Sequence, residues 1–411
     1  MESFLLTNEV KSKALELIKT FQENNSYSIP SDSKNYPLSE LRDTQMFGIL
    51  YARLEDGSIK TLYGYSGSIK GSYTVPGYVP PCFSVNEFQR IVDINDKEIH
   101  ELTDRIENGE KDLIAKRAEL SNETLERLKK IYTFSTYSGE RFSTLPEKAP
   151  TGTGDCAGLK LINYALRKGW EIVALAEFKL DGSFYGPCEE RCGLLLPQML
   201  GLKFIYMDED IAIIDKPSGL LSVPGRGPEK LDSASYRFHK LFPSSPEQCF
   251  VHRLDMDTSG LLIMTLKKEN VKKLSLQFEN RIVKKSYVAL LEGVIKENSG
   301  IINLPMRLDV DNRPYQIVDF DHGKEAITKW EKINVTRLGD MLCTRVRFFP
   351  QTGRTHQLRV HSASGLKHPI VGDRLYGHND HGERLYLHAE SITFIHPNSG
   401  EEITFTSQPQ F

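Results

Sequence analysis

The chain is 411 residues long, 39% hydrophobic and 26% charged, with a formal net charge of −3. That length accommodates two or three domains with ordinary buried cores, and the near-neutral balance gives no bulk basic field of the kind that marks a nucleic-acid binder. No apolar run reaches the length of a membrane span, and Met1-Glu2-Ser3-Phe4 lacks the basic start and apolar centre of a secretory signal, so a cytoplasmic protein is expected.

A short helix is expected within residues 1–27, where Val10, Leu15, Leu17, Ile18 and Phe21 are interleaved with Lys and Glu. Residues 28–45 are polar and rich in Pro and Ser, a loop composition. Met46–Leu54 and Ser58–Tyr65 read as two strands joined by the turn Glu55-Asp56-Gly57. Glu87–Tyr132 is the longest helical signal; it contains no proline, and Asn108-Gly109 can fold it into a helical hairpin. Residues 133–155 are loop-like. A helix over Cys156–Arg167 and a strand over Glu171–Phe178 follow, and then Pro187-Cys188-Glu189-Glu190-Arg191-Cys192 enters a second helix toward Leu200. From Lys203 the texture changes to many short strands, beginning with Phe204–Met207 and Ile211–Ile214, so the boundary is placed at Gly201. The expected fold class is α+β: a strand-rich mixed α/β domain over 201–411, preceded by an α+β accessory region over 1–200 with a charged helical arm at about 87–132.

The charge divides weakly across that boundary. Residues 1–200 hold 24 basic and 29 acidic side chains, net −5, and residues 201–411 hold 28 and 26, net +2. Any affinity for phosphate must therefore come from a local surface.

Of the six cysteines, Cys156 opens one expected helix and Cys188 and Cys192 open another, one strand later. A separation of four lets the last two thiols face one point. In residues 150–200 this pattern resembles the zinc half-site of the cytidine-deaminase-like fold, with two departures. Three residues rather than two separate the paired cysteines, and Gly158 stands where the catalytic glutamate belongs. That implies a structural zinc on Cys156, Cys188 and Cys192, with Cys82 or water as fourth ligand, and no deaminase chemistry. The plainer alternative is three free cytosolic thiols.

The centre of the chain is His252-Arg253-Leu254-Asp255-Met256-Asp257-Thr258-Ser259-Gly260-Leu261-Leu262. A carboxylate in a polar segment leads into an apolar run that reads as a buried strand. Other stretches accompany it in order: Ile214-Asp215-Lys216-Pro217-Ser218-Gly219-Leu220-Leu221-Ser222-Val223-Pro224-Gly225, Lys284-Lys285-Ser286-Tyr287, and Pro350-Gln351-Thr352-Gly353-Arg354-Thr355-His356-Gln357-Leu358-Arg359-Val360-His361. In the last, Thr355 is placed to cap a helix running to Gly365. His368-Pro369-Ile370-Val371-Gly372-Asp373 and Leu385-Tyr386-Leu387-His388 complete the set. Over 203–411 this series resembles the RluA-type RNA pseudouridine synthases, in the branch that contains RluA itself.

The resemblance implies isomerisation of uridine to pseudouridine in structured RNA, either large-subunit rRNA, a tRNA anticodon stem-loop, or both. It implies Asp255 as catalytic nucleophile, Arg354 as its ion-pair partner, and Tyr287 as stacking platform and proton carrier. It also implies Arg253 as the side chain that fills the space of a flipped base, and Leu358 as an apolar wall. The reaction is redox-neutral and needs no cofactor. RNA is the expected partner, with no membrane and no obligate protein partner. The competing readings are a non-catalytic RNA-binding or chaperone-like module on the same fold, and a zinc deaminase in the N-terminal half.

Overall fold

The computed structural model describes residues 5–29, 35–143, 145, 149–188, 190–377 and 383–411. Residues 30–34 of the expected polar loop, 144 and 146–148 ahead of Pro150, 189 between the paired cysteines, and 378–382 lie outside them. The chain divides into two compact units, Met1–Gly201 with Lys240–Pro243, and Leu202–His239 with Ser244–Phe411.

In the first unit Thr7 accepts from the Val10 N–H and starts α1 (Asn8–Glu23). Its Val10, Ala14, Leu17, Ile18 and Phe21 fall on one face and are buried. They join one core with Phe47, Ile49 and Tyr51 of β1 (Phe47–Arg53), which pairs antiparallel with β2 (Ile59–Tyr65). The charged segment is a helical hairpin, α2 (Val85–Glu107) and α3 (Ile114–Lys129). An Asn95–Thr124 hydrogen bond of 3.1 Å and a Lys116–Glu98 ion pair of 2.6 Å tie the two helices. Little of either helix is buried, as a polar composition dictates. The stretch read as loop from residue 133 contains a small ribbon, β3 (Phe134–Ser135) with β4 (Arg141–Phe142). Then come α4 (Ala157–Lys168), β5 (Glu171–Phe178), β6 (Phe184–Tyr185) and α5 (Cys192–Leu200). The sheet order is β2-β1-β5-β6. Both α1 and α4 contact β5, which is why its two faces are apolar.

The second unit is built on a nine-stranded sheet. In chain order its parts are β7 (Lys203–Met207), β8 (Ile211–Lys216), α6 (Ala234–Leu241), β9 (Ser259–Thr265), α7 (Lys268–Glu279), β10 (Lys284–Glu292) and β11 (Ser299–Asn303). They continue with the ribbon β12 (Met306–Leu308) and β13 (Gln316–Val318), then β14 (Ile327–Leu338), β15 (Met341–Pro350), α8 (Gln357–Val360), β16 (Leu387–Ile395) and β17 (Glu402–Thr406). The main sheet runs β11-β14-β15-β10-β16-β9-β8-β7, with β17 sharing the β9 edge of β16. Only the β9–β16 pair among these is parallel.

All seven residues of β9 are buried. It meets β16 closely at Gly260, where a Cβ would stand 2.4 Å from the Ala389 carbonyl oxygen. Gly260 also has φ +113°. Both facts require glycine there. The same Ala389 pairs with Tyr287 on the other side of β16. The sheet thus sets Tyr287 two strands from the point where the Asp255 segment enters the core.

The helix expected from Thr355 to Gly365 is shorter. Only Gln357–Val360 is α-helical, and a wide π-type turn, His361–Leu366, follows. His356, at φ +53°, precedes it, and no side chain of that residue caps it. Gln357 instead braces the turn ahead of the helix: its side-chain carbonyl accepts from the Arg354 N–H at 3.0 Å and from the Thr352 hydroxyl at 2.8 Å.

Candidate active site

Asp255 lies in a non-repetitive segment just before β9, with its side chain 26% exposed. The residues after β8 hold that segment in place. Lys216 is fully buried, and its Nζ donates to the carbonyls of Pro217 (2.9 Å), Leu220 (2.7 Å) and Met256 (2.9 Å). The Ser218 hydroxyl donates to the Asp257 carbonyl at 2.6 Å, and the Gly219 N–H to the Met256 carbonyl at 2.9 Å. The Ser222 hydroxyl donates to the Leu254 carbonyl at 2.7 Å and accepts the Leu254 N–H at 2.9 Å. Backbone groups on both sides of Asp255 are therefore tied down, and its carboxylate is left to project. Burial pulls the Lys216 pKa down to about 7, against the pull of the Asp255 and Asp257 carboxylates. His252 anchors the start of the segment: its Nε2 accepts the Ile263 N–H at 3.1 Å, and its ring stacks on Phe278.

The cation beside Asp255 is Arg359, not Arg354. Arg359 Nη1 stands 3.8 Å from Asp255 Oδ2, and its side chain is only 4% exposed. Two further nitrogens donate to Asp373, at 2.9 Å and 2.6 Å. The Asp373 side chain is fully buried, and its Oδ1 also accepts the Leu375 and Tyr376 N–H groups. The guanidinium lies over the Tyr376 ring, 5.3 Å from its centre. Burial works against the Arg359 charge, but Asp373 and then Asp255 outweigh it and hold its pKa above the usual value. Arg354 instead turns outward and donates from Nε to the Glu325 carbonyl at 2.9 Å. The reason is local: Arg354 precedes the short helix and Arg359 lies within it, so the two cannot present their side chains in the same direction. Arg359, Asp373, Tyr376 and Lys216 were not singled out as site residues from sequence. A second arginine at the end of His356-Gln357-Leu358-Arg359, on the helix itself, was the available signal.

Tyr287 is half-buried on β10, in one apolar cluster with Leu358, Ala289 and Phe348. Burial, and next the Asp255 carboxylate, push its phenol well above the ordinary tyrosine range. His356 Nδ1 pairs with the Tyr376 hydroxyl at 2.8 Å. Burial lowers the His356 pKa, against the attraction of Asp255. Arg253 is exposed, and its guanidinium has no hydrogen bond or ion pair among the described residues. The structure therefore gathers Asp255, Tyr287 and Leu358 with Arg359, places Arg253 at the solvent side, and sets Arg354 apart.

In the first unit the sulfurs of Cys156, Cys188 and Cys192 all lie within 4.8 Å of one another. Cys156 is the cap residue of α4, and Cys192 is the first residue of α5. A hydrogen bond from Cys192 lowers the Cys156 thiol pKa and raises that of Cys192. Tetrahedral zinc with Zn–S of about 2.3 Å needs sulfurs roughly 3.8 Å apart, a separation that lies within that bound. Cys82 is buried elsewhere, hydrogen-bonded to Asn163, and does not join the group. Gly158 N–H donates to Glu177 Oε1 at 2.7 Å, and a Cβ on Gly158 would stand 2.6 Å from that carboxyl group.

A clamped carboxylate beside a buried arginine and a strand-borne tyrosine, on a mixed sheet of this topology, is the arrangement that the sequence resemblance leads one to expect of a uridine isomerase. Residues 210–364 match the family model for RNA pseudouridylate synthase. The chain is 44% identical over 213 residues to the dual-specificity RNA pseudouridine synthase RluA of Haemophilus influenzae, covering 51% of this chain and 94% of that protein. With RluA of Escherichia coli K12 it shares 41% over 218 residues, 52% of this chain and 96% of the relative. A solved human structure, RNA pseudouridylate synthase domain containing 1, is 28% identical with a TM-score of 0.44, over 51% of this chain and 84% of that one. The chain belongs to the RluA-type family of RNA pseudouridine synthases. It is an RNA-modifying isomerase of a class that requires no cofactor for catalysis.

Proposed function

We propose that Asp255 is the catalytic carboxylate, and that the enzyme acts on uridines in exposed loops of large-subunit rRNA, of a tRNA anticodon stem-loop, or of both. The observation that carries the first part is the placement of Asp255: its neighbours are pinned by Lys216, Ser218 and Ser222, and its carboxylate faces Arg359 and Tyr287. The reaction breaks N1–C1′, turns the uracil and joins C5 to C1′. It needs a nucleophile or charge stabiliser, a surface for the detached base, and a group to move the C5 proton. Asp255 serves the first need, with the Arg359 guanidinium beside it as counter-charge. The Tyr287 ring serves the second and its hydroxyl the third, with Leu358 closing the apolar side. A phenol held neutral by its surroundings moves that proton as a relay, its oxygen taking the C5 proton as its own proton passes to an acceptor beside it.

Extruding the uridine costs a few kcal/mol. Arg253 is exposed and free of hydrogen bonds and ion pairs among the described residues, and a planar guanidinium can stack in the space the base leaves. Loop RNA is favoured because its bases are already partly unstacked. The curated relatives carry the words "dual-specificity" in their names, which supports more than one RNA substrate. Residues 1–200 are proposed as an accessory to RNA choice and residues 201–411 as the catalytic domain. We also propose zinc as the ion held by Cys156, Cys188 and Cys192. The test of substrate is pseudouridine mapping of total RNA from cells with and without the gene. Loss of one or more sites in rRNA or tRNA loops is expected, and an unchanged map refutes the substrate assignment.

A further inference from the structure

We infer that the first unit carries a second, hydrolysis-competent centre: Cys156, Cys188 and Cys192 bind zinc through three thiolates, and Glu177, in the niche beside Gly158, is the proton carrier for a water at the open fourth position. This goes beyond the structural zinc proposed above and does not depend on the pseudouridine reading.

Three features carry it. First, the described residues supply three ligands, one fewer than a closed structural site. Structural zinc sites use four protein ligands, while sites with three leave a position for water. Among the described residues no fourth Cys, His, Asp or Glu joins the triad, and Cys82 is committed to Asn163.

Second, an acid is present where such a centre needs one. The helix that begins after Cys156 offers only Gly158 two residues on, and this argued against chemistry. The structure supplies the carboxylate from the neighbouring strand. Glu177, on β5, places its carboxyl group in the space a residue-158 side chain would fill. It is 5% exposed, and the Gly158 N–H is its one hydrogen-bond donor among the described residues. Among the described residues no lysine or arginine forms an ion pair with it. A buried carboxyl with one backbone donor and no cation is costly unless something else uses it.

Third, the same unit buries further polar groups with few partners. Lys160, one turn beyond Cys156 on α4, is 1% exposed; its Nζ makes one long hydrogen bond, 3.3 Å to the Gly67 carbonyl, and lies 4.4 Å from the centre of the Tyr65 ring. The Tyr65 hydroxyl is buried with no partner among the described residues. A buried lysine so weakly hydrogen-bonded and a buried hydroxyl with no partner leave polar capacity in this unit beyond what packing uses.

Zinc in such a site acidifies a bound water and makes it nucleophilic near neutral pH. Glu177 takes the proton of that water as its oxygen bonds to an electrophilic carbon, then returns it to the leaving nitrogen or oxygen. The bond to that leaving atom breaks, and no oxidant or reductant enters. The ligands the centre takes are zinc and, at its fourth position, water or a small oxygen or nitrogen donor.

Full-length protein purified without added metal should contain about one zinc per chain, retained in Cys82→Ser and in Glu177→Gln. The amide of Glu177→Gln still accepts the Gly158 N–H, so the fold should survive. After exchange for cobalt, the charge-transfer band should have the intensity of three thiolates. Added azide should shift the visible bands. Their pH-dependent change should move its midpoint by at least about one unit in Glu177→Gln, a tenfold change in the ionisation constant. Zinc below about a tenth of an equivalent, the level of contamination rather than of a built site, overturns the proposal. So does a four-thiolate spectrum, or bands indifferent to azide and to Glu177→Gln. These spectra are read on wild-type protein and one conservative variant, so misfolding of a cysteine variant cannot decide the result.

Discussion

Arg359 is held by two carboxylates at once, and its loss would strand both. Asp373 is fully buried and Asp255 largely so, and breaking a buried pair by removing one member costs about 3–5 kcal/mol. Arg359→Ala should therefore lower the melting temperature by several degrees and reduce kcat/KM by two or more orders of magnitude. Arg354→Ala should do neither to that degree, because its guanidinium makes one exposed bond to a carbonyl. Equal effects from the two variants would show that Arg354 is the partner after all. Asp255→Asn should bind RNA with unchanged affinity and form no pseudouridine, as measured on a stem-loop containing the target uridine. The histidines give a pH signature. Burial lowers the His252 pKa to about 3 and that of His361 to about 4, against an unfolded value of about 6.5. Between those limits the unfolded chain binds protons that the folded chain does not. Stability is thus complete above pH 6.5 and falls as pH drops, by up to about 1.4 kcal/mol per unit for each histidine. Urea unfolding at pH 7 and pH 5 measures this, and His252→Gln, which keeps an acceptor for the Ile263 N–H, should flatten the slope. At this scale the residue types of the site could be read from sequence, but the choice between two arginines five positions apart could not. It depends on which side a four-residue helix presents, and short helices carry no periodic signal.

The elements were legible where a pattern persisted for several residues. The β1–β2 hairpin, the break between α2 and α3, and β5 follow from alternation, from Asn108-Gly109 and from an unbroken apolar run. The region after β15 did not follow, because side chains rather than propensity shape it: Gln357 braces the turn before the helix by accepting the Arg354 N–H, and the Ser362 hydroxyl donates to the Leu358 carbonyl at 2.7 Å. The segment after β8 is a similar case, since its lysine and serines look unremarkable in sequence yet clamp a loop forty residues away. Lys216→Met should leave the Pro217 and Leu220 carbonyls without this donor, at a cost on the order of 1–3 kcal/mol each. The Met256 carbonyl keeps the Gly219 N–H. The expected result is a modest fall in stability and a larger fall in kcat than in 1/KM, because Asp255 is loosened while the RNA-binding surface is untouched. A variant with unchanged kcat would mean that the serines suffice to position Asp255.

Across the whole molecule, the two halves differ in what they share with relatives. RluA of Haemophilus influenzae is matched over 94% of its length by half of this chain, so that relative is accounted for almost entirely by the second unit. All the residues placed around Asp255 also lie after Gly201. The first unit has its own core, in which α1 covers β1 and β5, and it brings net −5, a poor charge for general phosphate binding. Its helical hairpin is mostly solvated, with α2 about 35 Å long at ~1.5 Å per residue. A unit of this kind suits selection among RNAs better than strengthening of binding to all of them. A protein beginning near Leu202 should therefore stay soluble and isomerise a short stem-loop with a kcat/KM within about threefold of the full chain, less than 1 kcal/mol of transition-state binding. On intact rRNA and tRNA it should lose rate at the native position or modify additional uridines. The measurement is site-resolved pseudouridine mapping of both substrates after treatment with each protein. The same sites at the same rates would show that the first unit takes no part in substrate choice. An insoluble or inactive truncated protein would show that the catalytic half needs residues that its shorter relatives do without.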